Sequence, residues 1–459
     1  MAPAAVPQQS NILHRVLADK PHHAVSSSGI NIHLANLHNV IDAAGGASVA
    51  VLGHTQPSVI EALTKQMTDI SYVYSGAGYS SNSAEELASL ILSEKPGGLC
   101  KAIFVCSGSE AMECALKLAR QYHCERGDMK RIHYISRKNS YHGNTLGALG
   151  VSGHPGRRAI YEDMLSKNVS FVEPCYVYRG KKEGEDDKAY LERLTAGIEE
   201  EFQRVGADKV AAFVAETVSG ASLGCATAVS GYFKAVREVC NKYGALMILD
   251  EVMCGMGKTG TLHAWQQEGI TGPDIQTVAK ALGGGFVPIG GVLMNQKVVD
   301  ALASGTGILQ HGHTYQAHPG ACAAAAEVQK IIKRDNLMQN VMEQGKLLEK
   351  LLKETVLPLK IVGDVRGRGL YWGVELVSDK ETKRPFDRGM AVSSKVGASA
   401  MALGLGVLPT PGAGSEAPVD ILIVSPPYVV TEQDVRSIVG ILKAAIEDIT
   451  RTLEDSGLL

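Results

Sequence analysis

"PDIQTVAKALGGG", residues 273–285, runs from an apolar segment into one lysine, Lys280, and then into three consecutive glycines. Val278, Ala279, Ala281 and Leu282 flank that lysine, so its amine is placed among apolar neighbours. A surface lysine whose methylene stem covers such neighbours fits the pattern. So does an amine kept neutral by desolvation and able to attack a carbonyl to form a Schiff base. The lysine by itself does not separate the two readings, and the rest of the chain has to.

"IQTVA" entering "KALGGG" is one of five short apolar runs that end in polar or glycine-rich residues. The others are "KAIFVC" into "SGSE", "IHYISR" into "KNSYHGN", "AAFVAE" into "TVSG" and "ALMIL" into "DEV". Amphipathic segments of helical period lie between them, the pattern of an α/β domain on a mostly parallel sheet. Ligands bind outside the carboxyl ends of strands in such sheets, so the five ends are expected to converge on one pocket.

Each end offers a different chemical group. "SGSEAMECALKLAR", 107–120, places Ser107 and Glu110 at capping-box spacing and leaves the N–H groups of Gly108, Ser109 and Glu110 at a helix start, a seat for phosphate. An ordinary capped helix with nothing bound reads equally well. "SYHGNT", 140–145, puts Tyr141 before His142 and Gly143, a ring able to lie against a planar ligand. "LDEV", 249–252, delivers Asp250 at the end of a hydrophobic strand, where a carboxylate is costly without a cationic partner. One helix and one strand of connection bring Lys280 back beside it, so a direct Asp250–Lys280 ion pair is the plain structural alternative.

Composition narrows the class. The chain has 459 residues, 45% hydrophobic and 20% charged, enough for a large core and more than one domain. Lys+Arg of 45 against Asp+Glu of 48 leaves a net charge of −3, with no electrostatic reason to expect nucleic acid or an anionic membrane as partner. The nine cysteines are scattered and contain no C-x-x-C pair, as expected of thiols in a reducing compartment. "MAPAAVPQQSNILHRV" lacks the basic and apolar stretches of a secretory leader, and a cytoplasmic location is expected. "RGKKEGEDDKAY", 179–190, is the expected flexible insert, since charge and glycine displace apolar residues there.

A phosphate seat, a stacking ring, a carboxylate for a protonated ring nitrogen and a desolvated lysine are together what holds pyridoxal phosphate. With "FVCSGSEAMECALKLAR", "YHG", "LDEVMCGMGKTG", "PDIQTVAKALGGG", "HGHTYQAHPGACAAA" and "GDVRGRGLYWGVEL" in order, the chain resembles a class III aminotransferase of the fold type I pyridoxal-phosphate family from about residue 41 to 435. The resemblance implies an α/β fold: a large domain, 71–325, with a mostly parallel seven-stranded sheet, and a smaller α+β domain built from 1–70 and 326–459. It implies that Lys280 carries the Schiff base and moves the proton, and that Asp250 keeps the pyridine nitrogen protonated. Tyr141 and Val252 would lie on the two ring faces. Ser107, Gly108, Ser109, His142, Gly143 and Glu216 would complete the cofactor site. Thr314 would reach the phosphate from the neighbouring subunit, which requires a homodimer.

Two motifs compete with this reading. In "GMGKTG", 255–260, the first glycine of a phosphate loop would fall at Val252, which argues against an NTPase. His311, His313 and His318 lack a carboxylate or cysteine at ligand spacing, and no metal is expected.

Departures from the family pattern bear on substrate. Members acting on α-amino acids carry an arginine three residues before the C-terminal "PP", whose fork grips a carboxylate. Ile423 stands there, and 409–422 contains no arginine. Glu216, the usual partner of that arginine, is then free for a cationic or hydroxylated substrate unless local backbone takes it up. Met253 and Met112 replace more polar family residues and are expected to make the pocket more apolar. Arg366 and Arg368 are alternative carboxylate contacts or hinge residues. The implied reaction passes an amino group from a primary amine or ω-amino compound to a small 2-oxo acid such as pyruvate. Racemases, decarboxylases and aminomutases of the same class share these residues, because the bond that breaks is set by its angle to the ring.

Overall fold

The computed structural model describes residues 10–17, 21–35, 39–412 and 419–459. Its centre is a seven-stranded sheet of β1 (Leu99–Val105), β2 (His133–Arg137), β3 (Val169–Val172), β4 (Val210–Glu216), β5 (Leu246–Asp250), β6 (Ile275–Val278) and β7 (Gly290–Asn295). The spatial order is β1-β7-β6-β5-β4-β2-β3. Only β7 runs against its neighbours, so the sheet is mostly parallel.

The central strands are apolar throughout because both faces are covered. Side chains alternate between two cores. Ala212, Val214, Leu246 and Ile248 face the helix Gly108–Glu125 with its Ala111, Ala115 and Leu118. Phe213, Ala215, Met247 and Leu249 face the opposite core, shared with Leu194 and Ile198 of helix Asp187–Val205 and with Phe233 and Val236 of helix Tyr232–Tyr243.

Two smaller sheets lie outside this body. One is a meander of Ala24–Ser28, Asn31–Leu34 and Asn39–Asp42, joined in parallel by Leu405–Gly406 from the far end of the chain. The other pairs Val362–Gly367, Trp372–Leu376, Asp420–Val424 and Leu408–Pro411, all antiparallel. Helix Pro57–Asp69 begins on a proline at its first turn, where the missing N–H costs nothing. None of the described helices is long and apolar enough to cross a membrane.

The segment 179–190 differs in part from its expectation. Its charges are not merely solvated. Arg179 Nε donates to Glu375 Oε1 at 2.6 Å, Lys181 pairs with Asp187 at 2.8 Å, and Asp186 caps the next helix by accepting from Ala189 N at 2.8 Å. Residues 181–186 have no regular structure, while the caps and one distant carboxylate tie down the two ends, with 187–190 in the helix Asp187–Val205.

Candidate active site

The carboxyl ends of β1, β2, β4, β5 and β6 meet. Ser107 caps helix Gly108–Glu125 by accepting from Glu110 N at 3.2 Å, while the Glu110 carboxylate reaches one residue beyond the expected box, to Cys106 N at 2.7 Å. Among the described residues the N–H groups of Gly108 and Ser109 have no acceptor, which leaves the helix terminus open to an anion. Ser109 Oγ is held by Asn144, donating to its Oδ1 at 2.9 Å and accepting from its N at 3.1 Å. The glycines here are required by close approach. A Cβ on Gly108 would stand 2.8 Å from Val252 Cγ1, and one on Gly143, at φ +135°, would stand 2.8 Å from Ser109 Oγ.

Asp250 is buried, and every bond it makes fixes its plane. Its Oδ1 accepts from Val252 N at 3.0 Å and from Thr277 Oγ1 at 3.1 Å, and its Oδ2 meets His142 Nδ1 at 2.8 Å. His142 is fixed in turn, by Ser136 Oγ at 3.3 Å on its other ring nitrogen and by Ser152 Oγ at 2.8 Å on its backbone. His142 therefore orients the acid. Thr277 was missed by sequence reasoning. It stands three residues before Lys280 and directly opposite Asp250 in the strand register.

Lys280 follows β6 in the left-handed region, at φ 44°, where a non-glycine residue is strained by about 1 kcal/mol. The expected alternative, an ion pair with Asp250, does not form. Lys280 Nζ donates instead to Ala47 O at 3.0 Å, from a segment 233 residues earlier in the chain. Burial brings the ammonium down from its ordinary 10.5 to about 8, although Asp250 and Glu216 both favour the charged form. The amine is thus available as a nucleophile near neutrality. Capture of pyridoxal phosphate by the apoenzyme is expected to quicken as pH rises to about 8 and to level off above it. Stopped-flow absorbance against pH checks this, and a midpoint left near 10.5 would contradict it.

Glu216 closes the strand end beside them. Its Oε1 accepts from Gly220 N at 3.0 Å, so local backbone takes one oxygen. The other oxygen is buried without a hydrogen-bond partner among the described residues, 3.8 Å from the Arg137 guanidinium. Burial raises the carboxyl above its ordinary range, opposed by His142 and Arg137. Ile423 is sealed with Ile421, Tyr371 and Val218 into a small apolar cluster, against which Met253 packs. The position of the absent arginine is therefore an apolar wall. Met112 is different. It is fully buried beneath the sheet with Val105 and Ala148, in the core and not in the pocket, because its helix turns that face inward.

Arg366 and Arg368 do not serve as free carboxylate contacts. Arg366 is bound to Asp364 at 2.8 Å, Glu375 at 2.7 Å and Leu223 O, and Arg368 to Glu268 at 2.8 Å. Lys258 of "GMGKTG" does not face a phosphate. It is buried over the Tyr428 ring at 4.9 Å, in a turn that opens no helix, and burial lowers its amine to about 7. His313 gains neighbours that spacing did not show. Glu110 Oε1 is 3.6 Å away, and Cys106 completes a group of three possible metal ligands drawn from positions some 200 residues apart. Tyr141 is half-buried with Arg157 over its ring at 4.5 Å. Thr314 is exposed, its carbonyl accepting from Tyr72 Oη at 2.8 Å.

Backbone donors for a phosphate, an oriented acid and an amine that loses its proton around pH 8 fit the phosphate, ring nitrogen and aldehyde of pyridoxal phosphate. The family described as "Aminotransferase class-III" matches residues 18–446. An uncharacterized aminotransferase of Schizosaccharomyces pombe is 45% identical over 427 residues, covering 93% of this chain and 93% of that one. The uncharacterized aminotransferase YodT of Bacillus subtilis is 33% identical over 414 residues, covering 90% and 92%. Among solved structures, a pyridoxal-phosphate-bound amine transaminase from an uncultivated Pseudomonas species matches with a TM-score of 0.89 at 30% identity, covering 96% of this chain and 98% of that one.

Proposed function

Because the chain belongs to the class III aminotransferases, enzymes of fold type I that work with pyridoxal phosphate, we propose that it moves an amino group from a primary amine or ω-amino compound to a small 2-oxo acid such as pyruvate. The observation that carries the substrate reading is the sealed apolar cluster at Ile423. A donor with a carboxylate next to its amine finds no arginine there, and an unpaired carboxylate against that wall is costly.

When bound, the cofactor supplies an aldehyde carbon that exchanges amino groups and a ring that takes up the electron pair of the substrate carbon. The chain supplies the rest. Gly108 N and Ser109 N would hold the phosphate, and Ser109 Oγ would join them by turning its O–H away from Asn144 Oδ1. Asp250, aligned by His142 and Thr277, holds a proton at the ring nitrogen. Tyr141 and Val252 confine the ring, with Gly143 keeping the space beside Ser109 clear. Lys280 Nζ would take the proton from the substrate carbon that bears the amine and give it to the carbon on the far side of that nitrogen, the task of a base poised near neutrality.

We propose further that the enzyme is a homodimer in which Thr314 serves the neighbouring phosphate site. Thr314 is exposed, and the large apolar side chains Tyr72, Tyr315 and Ile308 are 41%, 54% and 59% exposed in the single chain, a surface that association would cover. The nine free cysteines agree with a cytoplasmic location.

Donors without a carboxylate beside the amine, offered with pyruvate, are expected to yield alanine in a coupled assay. Absorbance should change in each half-reaction separately. A protein that scrambles the stereochemistry of its amine or releases carbon dioxide while forming no alanine would overturn the transaminase reading.

A further inference from the structure

The acceptor in that reading carries a carboxylate, and the site must hold it without the arginine absent at 423. Most cations around the pocket are already committed. Arg366 and Arg368 are ion-paired, Arg137 is 4% exposed and donates to Glu216 O at 2.7 Å, and Lys258 is 1% exposed against Tyr428. Arg158 is tied to the carbonyls of Leu149, Gly150 and Ser152 and forks onto Glu162. Among the described residues Lys258, like Arg157, has only an aromatic ring as partner, but it is sealed off, whereas Arg157 is part-exposed.

Arg157 lies in the short turn Pro155–Arg158, which the bonds of Arg158 pin in place. It is part-exposed, and among the described residues its guanidinium makes no ion pair and no side-chain hydrogen bond. Its one partner is the Tyr141 ring at 4.5 Å. A ring face holds the cation without using any of its N–H donors, so the planar fork stays available. Tyr141 directly precedes His142, which meets Asp250 Oδ2 at 2.8 Å, so the ring that carries Arg157 stands beside the acid of the site.

We infer that Arg157 is the carboxylate-binding residue of this site, receiving the carboxylate of the 2-oxo acid acceptor while the carbonyl carbon is presented toward Lys280. This rests on the transaminase reading for the identity of the acceptor. The specificity then differs from a clamp on the C-terminal strand. The anion is held on the Tyr141 side and not at the sealed apolar cluster of Ile423.

The test compares pyruvate with propanal, an acceptor of similar size without a carboxylate, in wild type, Arg157→Gln and Arg157→Lys. The glutamine variant is expected to raise the KM for pyruvate about 10- to 100-fold, the worth of a charged hydrogen-bonded pair, with kcat changed much less and the KM for propanal not following. Arg157→Lys keeps the charge and loses the fork, so it shows a smaller rise in the same direction and keeps the experiment readable if the glutamine variant fails to fold. Propionate, which has no carbonyl to react, is titrated calorimetrically into each cofactor-loaded protein and should bind more weakly in both variants. Equal losses for pyruvate and propanal, or unchanged propionate binding, would overturn the assignment. A wild-type enzyme that forms no alanine would sink the transaminase reading alone, because propionate binding still reports on Arg157.

Discussion

Replacing Lys280 with alanine is expected to lower turnover by about 10⁴-fold or more, because one side chain serves as both nucleophile and proton carrier. No neighbouring amine substitutes for it. Lys258, whose charge bears on the Lys280 amine, is 1% exposed and held over the Tyr428 ring at 4.9 Å. The fold should not suffer at neutral pH. Lys280 is protonated up to its ordinary 10.5 in the unfolded chain but only up to about 8 in the folded one, so below pH 8 its burial opposes folding. Between those values folding releases a proton and the wild type gains stability as pH rises. The alanine variant lacks that gain. Its apoenzyme should melt no lower than wild type at pH 7, and the balance should move toward wild type between pH 8 and 10.5. Melting curves at the two ends of that window, beside steady-state rates, check both halves. Turnover within tenfold of wild type, or a variant clearly destabilised at pH 7, would refute the role given to this amine.

Asp250→Asn is expected to cost about 10²- to 10³-fold in kcat, the usual size of losing one oriented charge at a reacting centre. An amide cannot hold a full proton on the ring nitrogen. Most of the local structure should survive. The retained oxygen still accepts from Val252 N and Thr277 Oγ1. The new amide nitrogen faces His142 Nδ1, which can accept only if the imidazole changes tautomer and donates to Ser136 through its other nitrogen. The Ser136 hydroxyl on the other ring nitrogen can accept as well as donate, which makes that switch feasible, so melting should move by about 1 °C, roughly 1 kcal/mol or less in a chain of this size. Single-turnover absorbance isolates the chemical step from binding. A variant with full kcat would show that Asp250 is structural.

The seven-stranded sheet was legible from short apolar runs separated by helical periods, because covering both faces of a parallel strand demands apolar residues at every position. Lys280, Asp250, Tyr141 and the turn at Ser107 were legible for a related reason. Each stands at the end of such a run, and the ends of parallel strands must lie on one edge. Met112 misled because a family substitution seen in sequence carries no direction, and its helix turns that face into the core. In the charged segment 179–190, composition marked the irregular stretch but did not reveal which carboxylate lies opposite Arg179.

Sequence alone therefore determined the class of fold, which residues stand at each strand end and the absence of an arginine at 423. Tertiary structure decided which groups face each other. Thr277 meets Asp250 through strand register, Ala47 receives the lysine from 233 residues away, Arg366 and Arg368 are consumed by buried acids, and Arg157 is left over Tyr141 with no carboxylate partner among the described residues. Periodicity and caps are local properties written along the chain, whereas partnership among charges depends on the order in which strands and loops pack.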